Sequence, residues 1–199
     1  MSPDAEHSRE LRHAVLLVAA LNLAYFGIEF AVATAIGSVS LFADSVDFLE
    51  DASINLLIFV ALGWSASRRA LLGKVLAGIL LVPGLATLWT AWDKFWLPLP
   101  PAPIALTLTG AGALAVNLAC ALILTRYRHH SGSLTRAAFL SARNDAFANI
   151  AIIAAGLVTA ASLSGWPDLI VGLAIAAINA DAAREVYSAA QKERRAALP

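Results

Sequence analysis

The chain has 199 residues, 59% of them hydrophobic and 14% charged, with a formal net charge of zero. A mean hydropathy of +0.73 is too high for an ordinary soluble domain. The balanced charge offers no argument for a nucleic-acid partner, and the single cysteine, Cys120, excludes an intrachain disulfide.

A membrane-spanning helix needs roughly 20 apolar residues. Six windows meet that length, about 13–36, 39–63, 69–92, 103–125, 134–161 and 168–188. The reading is an all-α membrane protein, a six-helix transmembrane bundle over residues 13–188. A cytoplasmic tail of residues 1–12 precedes it and a short cytoplasmic tail of 189–199 follows. Met1–Glu10 is polar and the first apolar run is long enough to span, so no cleavable signal is expected.

Helix 1 carries Asn22 and Glu29 inside its apolar run. The turn Ile36-Gly37-Ser38 is very short, so helices 1 and 2 should form a tight antiparallel pair. Helix 2 holds Asp44, Asp47, Glu50, Asp51 and Asn55. Helix 3 contains Pro83-Gly84, a kink point, and ends near Trp89, Trp92 and Trp96, as an interfacial aromatic belt would. A stiff Pro-rich loop through Pro103 leads to helix 4, where Gly110, Gly112, Ala113 and Ala115 allow close helix approach. Helix 6 opens at Trp166-Pro167-Asp168, where Pro suits a first turn.

Basic residues orient the bundle. Arg9 and Arg12 precede helix 1, Arg68, Arg69 and Lys74 surround the 2–3 loop, and Arg126, Arg128 and Arg136 flank the 4–5 loop. Arg184, Lys192, Arg194 and Arg195 lie at the C-terminal end, while the opposite side has only Lys94. Both termini are therefore expected in the cytoplasm. The small size favours the inner membrane of a bacterium.

Two helices share a polar pattern. Asp51-Ala52-Ser53-Ile54-Asn55 and Asp145-Ala146-Phe147-Ala148-Asn149 both read D-A-x-x-N, with Asp47 and Ser141 four positions earlier. Steps of four stack side chains on one helix face. Helices 2 and 5 run in opposite directions, so the shared pattern implies a 3+3 inverted repeat with its site near mid-membrane. At ~1.5 Å per residue, Asp47 comes level with Asp145, and Asp51 with Ser141. Carboxylates at mid-membrane are costly and usually have a functional partner. The candidate is a cation held by Asp47, Asp51 and Asp145, with Ser141 or Asn149 completing the shell. Oxygen ligands suit Mg²⁺, Mn²⁺, Fe²⁺ or Co²⁺ and do not exclude Zn²⁺. Glu29 reads equally as part of an ion path or as a structural carboxyl. Arg143 points away from Asp145, with Glu50 and Asp181 as candidate partners. His7, His13, His129 and His130 all lie outside the deep spans, which argues against haem, and His129-His130 reads as a solvated loop pair.

The run Gly37-Ser38-Val39-Ser40-Leu41-Phe42-Ala43-Asp44-Ser45-Val46-Asp47-Phe48-Leu49-Glu50-Asp51-Ala52 resembles the second helix of cation diffusion facilitators. Arg136 through Asp145 is similar to their fifth helix, and Trp166 through Leu173 to the start of their sixth. The resemblance implies a homodimeric exporter of divalent transition metals driven by inward proton movement, not an enzyme. It matches Asp47 and Asp51 to the paired ligands of helix 2 and Asp145 to the carboxylate of helix 5. The substrate it implies is Zn²⁺ first, with Cd²⁺, Co²⁺, Fe²⁺ and Mn²⁺ as relatives. Two departures stand out. Ser141 takes a position where the family commonly has His or Asp. The family's cytoplasmic metal-binding domain usually follows helix 6, whereas this chain ends soon after that helix, so a dimer is expected through the membrane helices. The rival readings are an intramembrane aspartyl protease, for which no further motif is visible, and a non-transporting scaffold or metal-binding subunit, which needs no repeated acidic ladder.

Overall fold

A computed structural model describes residues 3–61, 66–125 and 132–179. Among them are six helices and no strand. They are α1 (Pro3–Ile36), α2 (Val39–Ala61), α3 (Ala66–Trp96), α4 (Pro103–Thr125), α5 (Gly132–Ser162) and α6 (Trp166–Asn179). Parts of α1, α4 and α5, namely Arg9–Ile36, Pro103–Thr125 and Asn144–Ser162, are long and apolar enough to cross a membrane. α2 has the length but carries Asp44, Asp47, Glu50 and Asp51 within it. The C-terminal part of the sixth expected window, Asp181, the tail 189–199 and the His129-His130 pair lie outside the described residues.

The bundle turns an apolar surface outward and polar groups inward. Leu16, Leu17, Leu23, Leu108, Leu122 and Ile150 are exposed, whereas Asn22, Glu29, Asp44, Asp51, Asn117 and Asn149 are buried. Lipid rewards that arrangement, because the bilayer solvates leucine and not carboxylates. α2 is central and packs on α1, α3 and α5, while α4 packs on α5 and α1. The two faces of the bundle differ. The 1–2, 3–4 and 5–6 connections share one, here called the turn face, and the N-terminus lies toward the other, the terminal face. The exposed rings of Trp89, Trp92, Trp96 and Trp166 gather at the turn face, where the belt was expected.

The tight 1–2 turn follows from two residues. Gly37 adopts a left-handed φ of 63°, and the Ser38 N–H reaches back to the Ala33 carbonyl at 3.1 Å. That is a Schellman closure of α1, which favours glycine at this position. Ser38 then caps α2, its Oγ accepting from the Leu41 N–H at 3.2 Å. α6 crosses α2 just beyond this turn, and a Cβ on Gly172 would lie 2.6 Å from the Val39 carbonyl carbon. Only a residue without a side chain allows that approach. At the 5–6 turn, the Gly165 N–H donates to Pro98 O at 3.1 Å, joining it to the 3–4 loop.

Candidate metal centre

Asp44, Asp51 and Asn55 of α2 are buried, and Asp47 is half-buried. Their i, i+3, i+7 spacing puts the three aspartates on one stripe, as the helical repeat requires. α2 and α5 pack together, and two cross-helix relations give their register. Asp44 lies opposite Asn149, whose Nδ2 donates to Asp44 Oδ2 at 2.6 Å. Asp47 and Asp145 line the same cavity of about 470 Å³. Numbers rise along α2 as they fall along α5, so the helices are antiparallel.

That cavity lies between α2, α5 and α6. Apart from Asp47, Asp145, Asn144 and Asn179, its walls are apolar, with Phe147, Val171 and Ile175 among them. Among the residues that line it, Asp47 and Asp145 are the two ionisable ones, one from each helix. The two carboxylates therefore face each other across the helix interface in a setting of low polarity. Such an arrangement repels itself unless a cation or proton intervenes.

Asp51 continues the stripe of α2 beyond Asp47. It is buried one turn deeper along α2 and does not line the cavity. Nearby in the core, Cys120 of α4 donates its S–H to Asn22 Oδ1 at 3.9 Å. Among the described residues no three His, Cys, Asp or Glu side chains are gathered closely enough to hold a metal. Of the three carboxylates expected to share a cation, Asp47 and Asp145 line one cavity and Asp51 lies one turn further along α2. The side chains of Ser141 and Arg143 lie outside the described residues.

Asn149, expected as a possible fourth donor, hydrogen-bonds to two neighbours in this structure. Its Nδ2 is held by Asp44, and its Oδ1 accepts from Asn117 Nδ2 at 2.9 Å. The amide is engaged on both sides, one turn from Asp145 toward the turn face. Asn117 was not singled out in the sequence, although a lone amide within the apolar run of α4 was the signal available.

Asp168, noted in the sequence only as part of a helix start, is a fully satisfied carboxylate. It is completely buried at the turn face and accepts from Ser38 Oγ at 2.6 Å, Ser40 Oγ at 2.7 Å, Val39 N at 2.9 Å and Ser40 N at 3.2 Å. The Lys94 ammonium approaches it at 3.5 Å. The carboxylate thus occupies the positive N-terminal end of α2 and ties α6 to it.

An apolar-surfaced bundle with carboxylates facing one another in a cavity between its helices defines the class: a polytopic helical membrane protein that handles cations. The family model for the cation efflux transmembrane domain matches residues 15–191. The chain therefore belongs to the cation efflux family, and it is a metal cation efflux transporter, not an enzyme. Among curated proteins no sequence matches it.

Proposed function

We propose that the protein exchanges a divalent transition-metal ion for protons at a mid-membrane centre built from Asp47, Asp51 and Asp145, with Ser141 as a fourth donor. Zn²⁺ is the first candidate, with Cd²⁺, Co²⁺, Fe²⁺ and Mn²⁺ as relatives. The observation that carries this reading is the facing of Asp47 and Asp145 in one apolar-walled cavity. A cation between them neutralises both, and ligation requires their deprotonated forms, so metal arrival and proton departure are linked at the same oxygens. Asp51 is one turn from Asp47 on the same face of α2, which makes it the third donor of this reading. Asn149 stays out of the ligand set because its amide is committed to Asp44 and Asn117.

The turn face is read as the outer side, in keeping with the basic residues of the opposite loops, and the host as a bacterial inner membrane. The cavity is lined on α6 down to Ile178 and Asn179, toward the terminal face, while Asp168 and Gly172 draw α6 against α2 at the turn face. Metal access from the cytoplasm fits this asymmetry, with alternation achieved by movement of helix groups about the centre. A homodimer assembled through membrane helices completes the reading. Metal uptake into proteoliposomes under a pH gradient tests it, with a proton indicator in the lumen. Metal-dependent proton movement, lost in Asp47→Ala and Asp145→Ala, is the expected result. Uptake that is indifferent to the gradient rules out exchange.

A further inference from the structure

Glu29 of α1 is completely buried, and neither of its carboxyl oxygens has a hydrogen-bond partner among the described residues. Asp44 of α2 is also completely buried, and its Oδ1 has none either. α1 and α2 pack together antiparallel, with Phe30 against Phe42 and Tyr25 against Phe48, a register that brings Glu29 level with Asp44. Two ionised carboxylates offer no donor, so neither can satisfy the other without a proton. Leaving both ionised would bury two facing charges, which proteins avoid by retaining a proton.

The surroundings say where the proton sits. Asn149 presents its NH₂ to Asp44 Oδ2, and Asn117 fixes that orientation by donating to Asn149 Oδ1. A donor aimed at Asp44 stabilises its charge and repels a metal ion. Glu29 has no such donor. Tyr25, one turn away on α1, points its hydroxyl to Thr109 O at 2.6 Å instead. The titratable neighbours of the pair one turn away are Tyr25 on α1 and Asp47 on α2, while α4 and α5 contribute the amides of Asn117 and Asn149.

We propose that Glu29 and Asp44 form a second cation site, one helical turn from Asp47 toward the turn face, which holds a single proton: Glu29 carries it and donates to ionised Asp44. The site deepens the exchange reading by naming a place where the counter-ion resides, outside the metal centre itself.

Infrared spectroscopy of the purified full chain tests the site without relying on transport. The carbonyl stretch of a protonated, buried carboxylic acid is expected in wild type at neutral pH and lost in Glu29→Gln, whose amide mimics the protonated acid. Metal affinity of that variant should stay within about twofold of wild type, because no proposed metal ligand is altered, while proton release per metal falls by the proton that Glu29 carries, leaving those displaced from Asp47 and Asp145. Asp44→Asn serves as the second variant should Glu29→Gln fold poorly, and it should shift the same band. A band that persists in Glu29→Gln, or is absent from wild type, overturns the proposal. So does a band that disappears when sodium or lithium replaces the buffer cation, since the occupant would then be an alkali ion. A wild-type band without metal-driven proton movement leaves the site standing and removes the exchange reading instead.

Discussion

Two acidic regions lie within this bundle, and they are built on opposite principles. At the turn face, Asp168 is surrounded by two hydroxyls, two backbone N–H groups and an ammonium. At mid-membrane, Asp47 faces another carboxylate across a cavity, and Glu29 faces Asp44 with oxygens unmatched. Both regions contain buried aspartates in apolar helices. What differs is the supply of donors. A carboxylate saturated with donors is already neutralised and has no vacancy for a cation, so it fastens helices together. A carboxylate facing others of its kind leaves charge to be balanced from outside the protein, which is why the proposed cargo site is placed there.

The sharpest way to break this comparison is to empty the clasp. Asp168→Ala leaves two hydroxyls, two backbone N–H groups and Lys94 in a buried site, and should cost about 3–5 kcal/mol, the usual range when one partner of a buried pair is removed. Thermal melting in detergent measures it, and a change of less than about 1 kcal/mol would mean that the clasp bears no weight. The mid-membrane counterpart has the reverse signature. Asp47→Ala or Asp145→Ala should retain most of the melting temperature yet reduce metal affinity by more than the ~10–100-fold typical of losing an outer-shell partner. Calorimetric titration in detergent reads that directly.

Metal itself provides the next contrast. At about 100 times its Kd, bound metal should stabilise the fold by ~2.7 kcal/mol. The shift should persist in Asp168→Asn, if that variant folds, and vanish in Asp145→Ala. Equal shifts in both variants would place the metal elsewhere. Gly172→Ala should cost about 1–3 kcal/mol, since the added methyl meets the α2 backbone and forces the crossing apart. The smallest effect belongs to Lys94→Met, at about 1 kcal/mol, because the ammonium is the longest of the contacts to Asp168 at 3.5 Å. A larger loss would promote Lys94 from spectator to essential member of the clasp.

Much of the architecture was legible in the residues. Apolar windows located the helices, the Gly37-Ser38 dipeptide announced a tight turn, and the Trp89, Trp92 and Trp96 series marked an interface. Each of these rests on local chemistry or on a period of one helix. The stripe of Asp44, Asp47 and Asp51 was equally readable, as was the pairing of Asp47 with Asp145 in depth, because helical rise converts sequence position into height. Asn149 was assigned by the same periodicity and found a different partner. Periodicity gives the face of a side chain but not which neighbour claims it.

Sequence alone therefore determined the helices, their apolar exteriors and the acidic stripe, since all three follow from hydropathy and the 3.6-residue repeat. The tertiary structure decided which carboxylates are satisfied. Asp168 and Ser38 are 130 residues apart, and Asn149 and Asp44 are 105 apart. Whether an aspartate becomes a rivet or a binding group depends on donors delivered by other helices, and no local pattern encodes them.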